Sequence, residues 1–471
     1  MNENSLAPAS SAAATSLADR GRAIEMRRLP SRTPLNPRRT SLRTDPYTAR
    51  LWRSGSTASW FSHDDYLALA SAGAVRMPAW LKMSAEEAKE RVYARRLWED
   101  VLCVMAALEQ WRTMTVQQIE ALTNISGITN GRTSLLTALW VHGLIEVGSP
   151  TSDLAASTLD RNMLLLRPAR PSAAKKEFEE YLSYAEWVSV TGGRGFSTDR
   201  QYARHNLLAS EFGLRVAEHG QVSMVLGETL SGMDLLAYTG CGIDAPTTGA
   251  QNGADLTLVR TDGLRVAVEM TASKSGSAFN DKVEKLVAIL HRRSLEATGL
   301  CILFVCAPRQ DASRGEAGEV ERKVKRAVQR AIVNYPGTAL HPTAARVAVA
   351  RWDRLFPGDG IVADFGSLPM ERPTGMRGGT GQIWEPARLL DPRSVPFTPD
   401  NPAAMSAVVT NAGGLRGVHH SLRVTGGRPV LADISLAAAG LDWVLDAVEA
   451  ERPNTGKGAV GPAQLPPRLR Y

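Results

Sequence analysis

Two acids, Asp255 and Glu269, interrupt the otherwise apolar stretch GADLTLVRTDGLRVAVEMTAS at residues 253–273. Paired carboxylates can share a proton or hold a divalent cation, provided that the two side chains face each other. Apolar/polar alternation over Leu256–Arg260 and Leu264–Met270 predicts two strands, with Asp262-Gly263 as the turn signal. A two-residue turn pairs Leu256 with Glu269 and puts the acids on opposite faces. A three-residue loop, Thr261-Asp262-Gly263 with the glycine left-handed, pairs Arg260 with Leu264 and sets Asp255 opposite Glu269. This second register gathers Leu256, Leu258, Leu264, Val266, Val268 and Met270 on one face. Asp255, Thr257, Val259, Arg265, Ala267, Glu269 and Thr271 fall on the other, so the hydrophobic pattern selects it. Opposed Cβ atoms lie about 5 Å apart, and two carboxylates that close repel unless a proton or a cation sits between them.

Around this hairpin the periodicity predicts further elements. RQYARHNLLASEFGLRVAEHG is an amphipathic helix with Leu207, Leu208, Phe212 and Val216 inward and Glu211 at its middle. FNDKVEKLVAIL turns Val283, Leu286, Val287 and Leu290 inward, and GLCILFVCAP is a continuous apolar run expected of a strand buried on both faces. GEVERKVKRAVQRAIVNY buries Val320, Val324, Ala327, Val328 and Ala331, while Arg322, Arg326 and Arg330 form an exposed basic stripe. ARVAVARW supplies another strand. The order predicts an α/β sandwich with a mixed sheet over 200–355. The plain alternative for the two acids is the solvated face of a hairpin. Against it, Thr257, Ala267 and Thr271 beside them are small, and the Glu211 helix is expected to roof part of that face.

Upstream, over 55–150, RLWEDVLCVMAALEQW carries a helical stripe at Leu97, Val101, Val104, Met105 and Leu108. TVQQIEALT follows, with Thr115 and Gln118 spaced as a capping box. The short turn NISGIT leads into NGRTSLLTALWVHGLIEVG, and three helices running into a strand have the pattern of a winged helix-turn-helix. The third helix is expected to bury Leu135, Leu136, Leu139 and Trp140. It would leave Asn130, Arg132, Thr133 and Thr137 for a DNA major groove and its phosphates. A small helical domain used for protein contact is the other reading of this unit. His142 is expected to cap or pack at the helix end.

The chain has 471 residues, 44% of them apolar, a net charge of +7 and a pI near 9.3. Residues 1–53 hold ten arginines against the four acids Glu3, Asp19, Glu25 and Asp45, a balance of +6. This stretch is Ser-, Ala- and Pro-rich without sustained periodicity, so 1–54 reads as a disordered basic arm. Such an arm suits attraction to a polyanion, with a solubilising tail as the bland alternative. The four cysteines form no CxxC pair and no zinc spacing, which excludes a disulfide framework and fits a reduced, cytoplasmic setting. No run approaches the ~18 apolar residues of a membrane span. Residues 151–199 connect the two units, and 451–471 are a Pro/Gly-rich tail. Between them, 356–450 has few periodic runs and unknown role; ISLAAAGLDWVLDAVEA is expected to be a closing helix, and His419-His420 structural or surface residues. PTGMRGGTGQ lacks the spacing of a phosphate loop.

An acid on one strand, an acid on the next, then a helix and a buried strand resembles the PD-(D/E)XK nuclease core, which also commonly carries an acid on its first helix, here Glu211. With the upstream winged helix and the segment RHNLLASEFGLRVAEHG, residues 95–355 resemble the replication-relaxation family of actinobacterial plasmids, phages and integrative elements. The resemblance implies that Asp255 and Glu269, with Glu211, hold Mg²⁺, which takes oxygen ligands and keeps several waters. It implies metal-assisted phosphodiester cleavage, double-stranded DNA as the partner, and replication or transfer proteins of the element as further partners. The family pattern wants a lysine at position 271, where this chain has Thr271, and a proline at position 254, where it has Ala254. Lys274, or Lys282 or Lys285 from the following helix, could fill the lysine's place. Two readings stay open: a cleaving enzyme, and a non-enzymatic DNA-binding regulator or adaptor whose acids pair with Arg265 or with helix lysines.

Overall fold

The hairpin takes the register that the hydrophobic pattern selects. A computed structural model of the chain describes residues 43–47, 58–75, 83–123, 125, 127–129, 134–150, 164–182, 190, 196, 203–220, 222–228, 231, 253–271, 277–357, 360–376 and 382–400. In it Leu256 pairs with Val268 and Leu258 with Val266. The Arg260 N–H donates to the Leu264 carbonyl at 2.8 Å to close the loop. Gly263 sits at φ +92°, a conformation that a side chain would oppose.

The chain is mixed α/β with two sheets. In order, the first part contains β1 (Ala58–Phe61), α1 (His63–Ser71), α2 (Ala85–Val92), α3 (Trp98–Trp111), β2 (Met114–Thr115), α4 (Val116–Thr123), α5 (Leu135–Val141), β3 (Ile145–Pro150), β4 (Leu165–Pro168) and α6 (Ala173–Tyr181). Its four strands form an antiparallel sheet in the order β1-β3-β4-β2. The second part contains α7 (Ala203–His219), β5 (Val222–Gly227), β6 (Leu256–Arg260), β7 (Arg265–Thr271), α8 (Ser277–Arg292), α9 (Leu295–Thr298), β8 (Leu300–Cys306), α10 (Arg314–Asn334), β9 (Val347–Arg351), α11 (Trp352–Leu355), β10 (Pro369–Met376) and β11 (Gln382–Arg388). Its seven strands run β11-β10-β9-β8-β7-β6-β5. The β5–β6–β7 meander is antiparallel, β7, β8 and β9 are parallel, and β10 and β11 return antiparallel.

The apolar run of β8 is continuous because both its faces are covered. Cys301, Leu303 and Val305 join a core with Leu256, Leu258, Val266 and Val268 and with Leu208 and Phe212 of α7. Leu300, Ile302, Phe304 and Cys306 join a second core with Ala267, the α8 residues Val283, Leu286, Val287 and Leu290, and the α10 residues Val320, Val324 and Val328. The sheet is therefore sandwiched, with α7 and the first unit on one side and α8 and α10 on the other. This corrects one expectation: α7 covers the apolar face of the hairpin, and α8 lies on the face that carries the acids. Alternation explains the difference, since the amphipathic stripe of α7 seeks the face with six apolar side chains rather than the one with carboxylates.

Two boundaries also differ from expectation. Residues 43–47, placed by composition in the basic arm, dock onto the fold. Arg43 and Asp45 are buried, and the Tyr47 hydroxyl donates to the Pro308 carbonyl at 2.7 Å. At the other end, β10 and β11 extend the sheet beyond residue 355. The expected closing helix and His419-His420 lie outside the described residues. Cys103, Cys301 and Cys306 are buried thiols. Among the described residues no helix is long and apolar enough to cross a membrane.

Candidate active site

Asp255 lies just ahead of β6, and the hairpin register carries it to a position opposite Glu269 in β7. Its N–H donates to the Val268 carbonyl at 3.0 Å, and its Oδ2 accepts from the Met270 N–H at 2.6 Å. These bonds fix the carboxylate at the mouth of the strand pair. Glu269 is held deeper, its side chain only 6% exposed.

Two cations reach the pair from different elements. From α8, Lys282 places Nζ 2.6 Å from Glu269 Oε2. The neighbouring Val283 and Leu286 bury against the sheet, and Phe279 meets Phe304 edge-on at 6.2 Å, which seats this end of α8 over β7 and β8. Lys282 borders that buried face and bends back onto the acid, with its side chain 41% exposed. From the start of α7, His205 places Nε2 2.7 Å from Asp255 Oδ1. Glu269 Oε1 and the Thr257 hydroxyl, both on the acids' face, are buried without a hydrogen-bond partner.

The charges divide unevenly. Burial would raise the Asp255 carboxyl, but the His205 imidazole, the Lys282 charge and the Met270 N–H together outweigh burial and hold Asp255 below the usual carboxylate range. Burial and the Asp255 charge together push Glu269 up to about 8, more than Lys282 offsets. Against burial, the two acids raise both His205 and Lys282. The proton affinity of the pair therefore rests on Glu269 rather than on Asp255.

The residues expected at the acid pair and on the third helix fare differently. Asp255, Glu269 and Lys282 come together. Lys274, Asn130, Arg132 and Thr133 lie outside the described residues. Glu211 does not join the pair. It is buried on α7 against Arg43, Arg215 and Gln118, accepting from Arg43 Nε at 3.1 Å, Arg215 Nε at 2.9 Å and Gln118 Nε2 at 3.1 Å. Burial would raise its pKa, but the two guanidiniums hold it below the ordinary value. Glu211 and His205 are six residues apart and so lie on different sides of the helix. Arg265 also stays away from the acids and donates to the Thr298 carbonyl.

Thr137 requires correction as a DNA contact. Ser134 caps α5, accepting from the Thr137 N–H at 3.1 Å, and its hydroxyl lies 2.7 Å from the Thr137 hydroxyl. The helix therefore begins after the polar residues 130–133, and Thr137 is fully buried in its first turn. The α10 stripe is as expected: Arg322, Arg326 and Arg330 are exposed, and Arg330 Nη2 donates to Asn280 Oδ1 of α8 at 3.0 Å. His142 closes α5 and packs edge-on against Tyr93.

His205 is the residue that sequence reasoning missed. It extends the inward stripe of Leu208 and Phe212 by one turn, a position where an imidazole reads as packing. Among the described residues no group of three or more His, Cys, Asp or Glu has a geometry to hold a metal. Asp255 and Glu269 thus offer two carboxylates, with Glu269 Oε1 as the uncommitted oxygen. Carboxylate oxygens are the ligand type that Mg²⁺ takes, beside the waters it keeps; here His205, the Met270 N–H and Lys282 engage the other three. Comparison of the chain with protein-family models, with curated proteins and with solved structures finds no match.

Proposed function

We propose that the chain binds DNA and cleaves its phosphodiester backbone at Asp255, Glu269 and Lys282. One observation carries the reading: a lysine ammonium 2.6 Å from one of two opposed acids, supplied by α8 where position 271 is threonine. Mg²⁺ held by Asp255 and Glu269 would polarise a scissile phosphate and make its bound water nucleophilic. Lys282 would steady negative charge developing on the phosphate. His205 orients Asp255 by its hydrogen bond. The order helix, three antiparallel strands, helix, parallel strand supports a nuclease-like core. The antiparallel β3–β4 pair after α5 supports a winged helix-turn-helix in the first unit, which would meet double-stranded DNA, and the exposed Arg322, Arg326 and Arg330 stripe supports contact with nucleic-acid phosphates. The setting that goes with this reading is cytoplasmic, in replication or transfer of a plasmid, phage or integrative element, beside that element's own replication or transfer proteins.

A second reading has its own observation. Both Asp255 oxygens are engaged, and Lys282 already sits on Glu269, so the acids are matched within the chain. That arrangement favours a catalytically silent DNA-binding regulator. A plasmid-nicking assay separates the two: the enzyme cuts supercoiled DNA with Mg²⁺ or Mn²⁺ and stops with EDTA, and Glu269→Gln abolishes the cutting. The regulator shifts a DNA fragment without metal and leaves it intact.

A further inference from the structure

A groove of about 570 Å³ runs between α10 and β11, lined by Glu319, Arg322, Lys325, Arg326, Gln329 and Trp384. Its charges are not equivalent. Lys325 is committed: Nζ lies 2.7 Å from Glu321 Oε1, also bonds Glu371, and stands 5.0 Å from the centre of the Trp384 ring. Glu319 is answered by Lys323 at 3.0 Å. Arg322 and Arg326 are exposed, and among the described residues no carboxylate lies within ion-pair distance of either. Arg326 Nε donates to the Arg322 carbonyl at 3.3 Å along the helix. The groove therefore offers two uncommitted guanidiniums one helical turn apart, an amide from Gln329, and an indole half-buried against the α8–α10 core.

We infer that this groove binds single-stranded nucleic acid, with backbone phosphates on Arg322 and Arg326 and an unpaired base against Trp384. Guanidiniums suit phosphate oxygens in planar, forked geometry. An indole adds affinity only if a base face can reach it, and in a duplex those faces are stacked on one another. Gln329 can both donate to and accept from a base edge. Along the same helix Arg330 bonds Asn280, two residues from Lys282, so a strand lying in the groove would lead toward the Asp255–Glu269 pair. The inference rests on the DNA-binding reading and deepens it: the strand presented to the site is an unpaired one.

The test is fluorescence anisotropy of the full chain in EDTA, with a labelled oligothymidylate of about 20 nucleotides and a duplex of the same length. Omitting metal keeps cleavage out of the readout. Trp384→Ala is expected to weaken oligothymidylate binding by roughly tenfold, from a loss of about 1–3 kcal/mol per stacked base, and to leave duplex binding within about twofold. Trp384→Phe should restore most of the loss, which guards against misfolding as the cause. Arg322→Ala with Arg326→Ala, both surface changes, should lower the slope of log affinity against log salt by about 1.4, the value for two single-strand phosphate contacts. Single-strand binding that ignores both variants overturns the groove while leaving the DNA reading intact, as does an equal loss on duplex. A wild type that binds neither probe overturns the DNA reading itself.

Discussion

Lys282 Nζ lies 2.6 Å from Glu269 Oε2, reaching across from α8 to a strand that has no lysine two residues beyond its glutamate. The charge is thus supplied from the helix that packs on the acids' face. If it stabilises negative charge on the phosphate, Lys282→Ala should lower the nicking rate by about 10²–10³-fold, the usual cost of losing one preorganised donor. Metal-induced stabilisation should persist in that variant, because both carboxylates remain. Rates from supercoiled-plasmid time courses and melting curves with Mn²⁺ check the two halves separately.

Glu269 gives the metal-free protein a defined pH dependence. Its folded pKa, about 8, lies above the unfolded value near 4.5. A raised acid binds its proton more tightly when folded, so its contribution to stability is complete below about pH 4.5. That contribution declines as pH rises and is gone above about 8. Melting temperature in EDTA should fall across that window, and Glu269→Gln should flatten the fall. A wild-type profile no steeper than the variant's would show that Glu269 is ionised throughout.

Glu211 predicts the opposite sign. Its pKa is lowered in the fold by Arg43 and Arg215, so its contribution is present above the unfolded carboxylate range and is lost as pH falls through the folded value. Glu211→Gln leaves two buried guanidiniums short of a partner and should cost about 3–5 kcal/mol in urea unfolding at neutral pH. Because Glu211 is apart from Asp255 and Glu269, the remaining folded fraction should keep its full thermal response to metal. A lost response would return Glu211 to the site.

Elements with one apolar face are legible in the sequence, and meetings of side chains from distant segments are not. Register, Gly263, the buried faces of α7, α8 and α10, and the Thr115–Gln118 capping box all follow from local pattern; the two residues of that box exchange bonds of 3.0 and 3.1 Å. Lys282 was one of several lysines able to fill the gap, and only the packing of Phe279 and Val283 decides among those described. His205 was hidden because an imidazole in an apolar stripe reads as packing. Arg43 was hidden by the composition of its neighbours, since no periodicity in a short segment reports the acids 168 and 175 residues away that it bonds. β10 and the edge strand β11, interrupted by Pro, Gly and charged residues, lack the apolar run of a central strand.

Docking of residues 43–47 changes what truncation should do. Deleting residues 1–40 removes seven arginines and leaves Arg43 in place, so duplex binding should weaken and its salt slope flatten with little change in melting temperature. Deleting residues 1–47 should also lower the melting temperature, because Glu211 and Glu218 lose the Arg43 guanidinium. Equal melting of the two truncations would show that the 43–47 segment adds no stability.

The most direct measurement is a melting scan at pH 8 of the wild type, Asp255→Asn and Glu269→Gln, with millimolar Mg²⁺ or Mn²⁺ and with EDTA. A cation that binds only the folded state stabilises it by mass action, about 2.7 kcal/mol at a hundredfold excess over Kd. A cation shared by Asp255 and Glu269 should raise the wild-type melting temperature and move neither variant, while Glu269→Gln in EDTA melts no lower than wild type because the repulsion with Asp255 is gone. A wild type that metal leaves unmoved, with Glu269→Gln melting lower in EDTA, would show a pair that serves the fold through Lys282 and holds no metal.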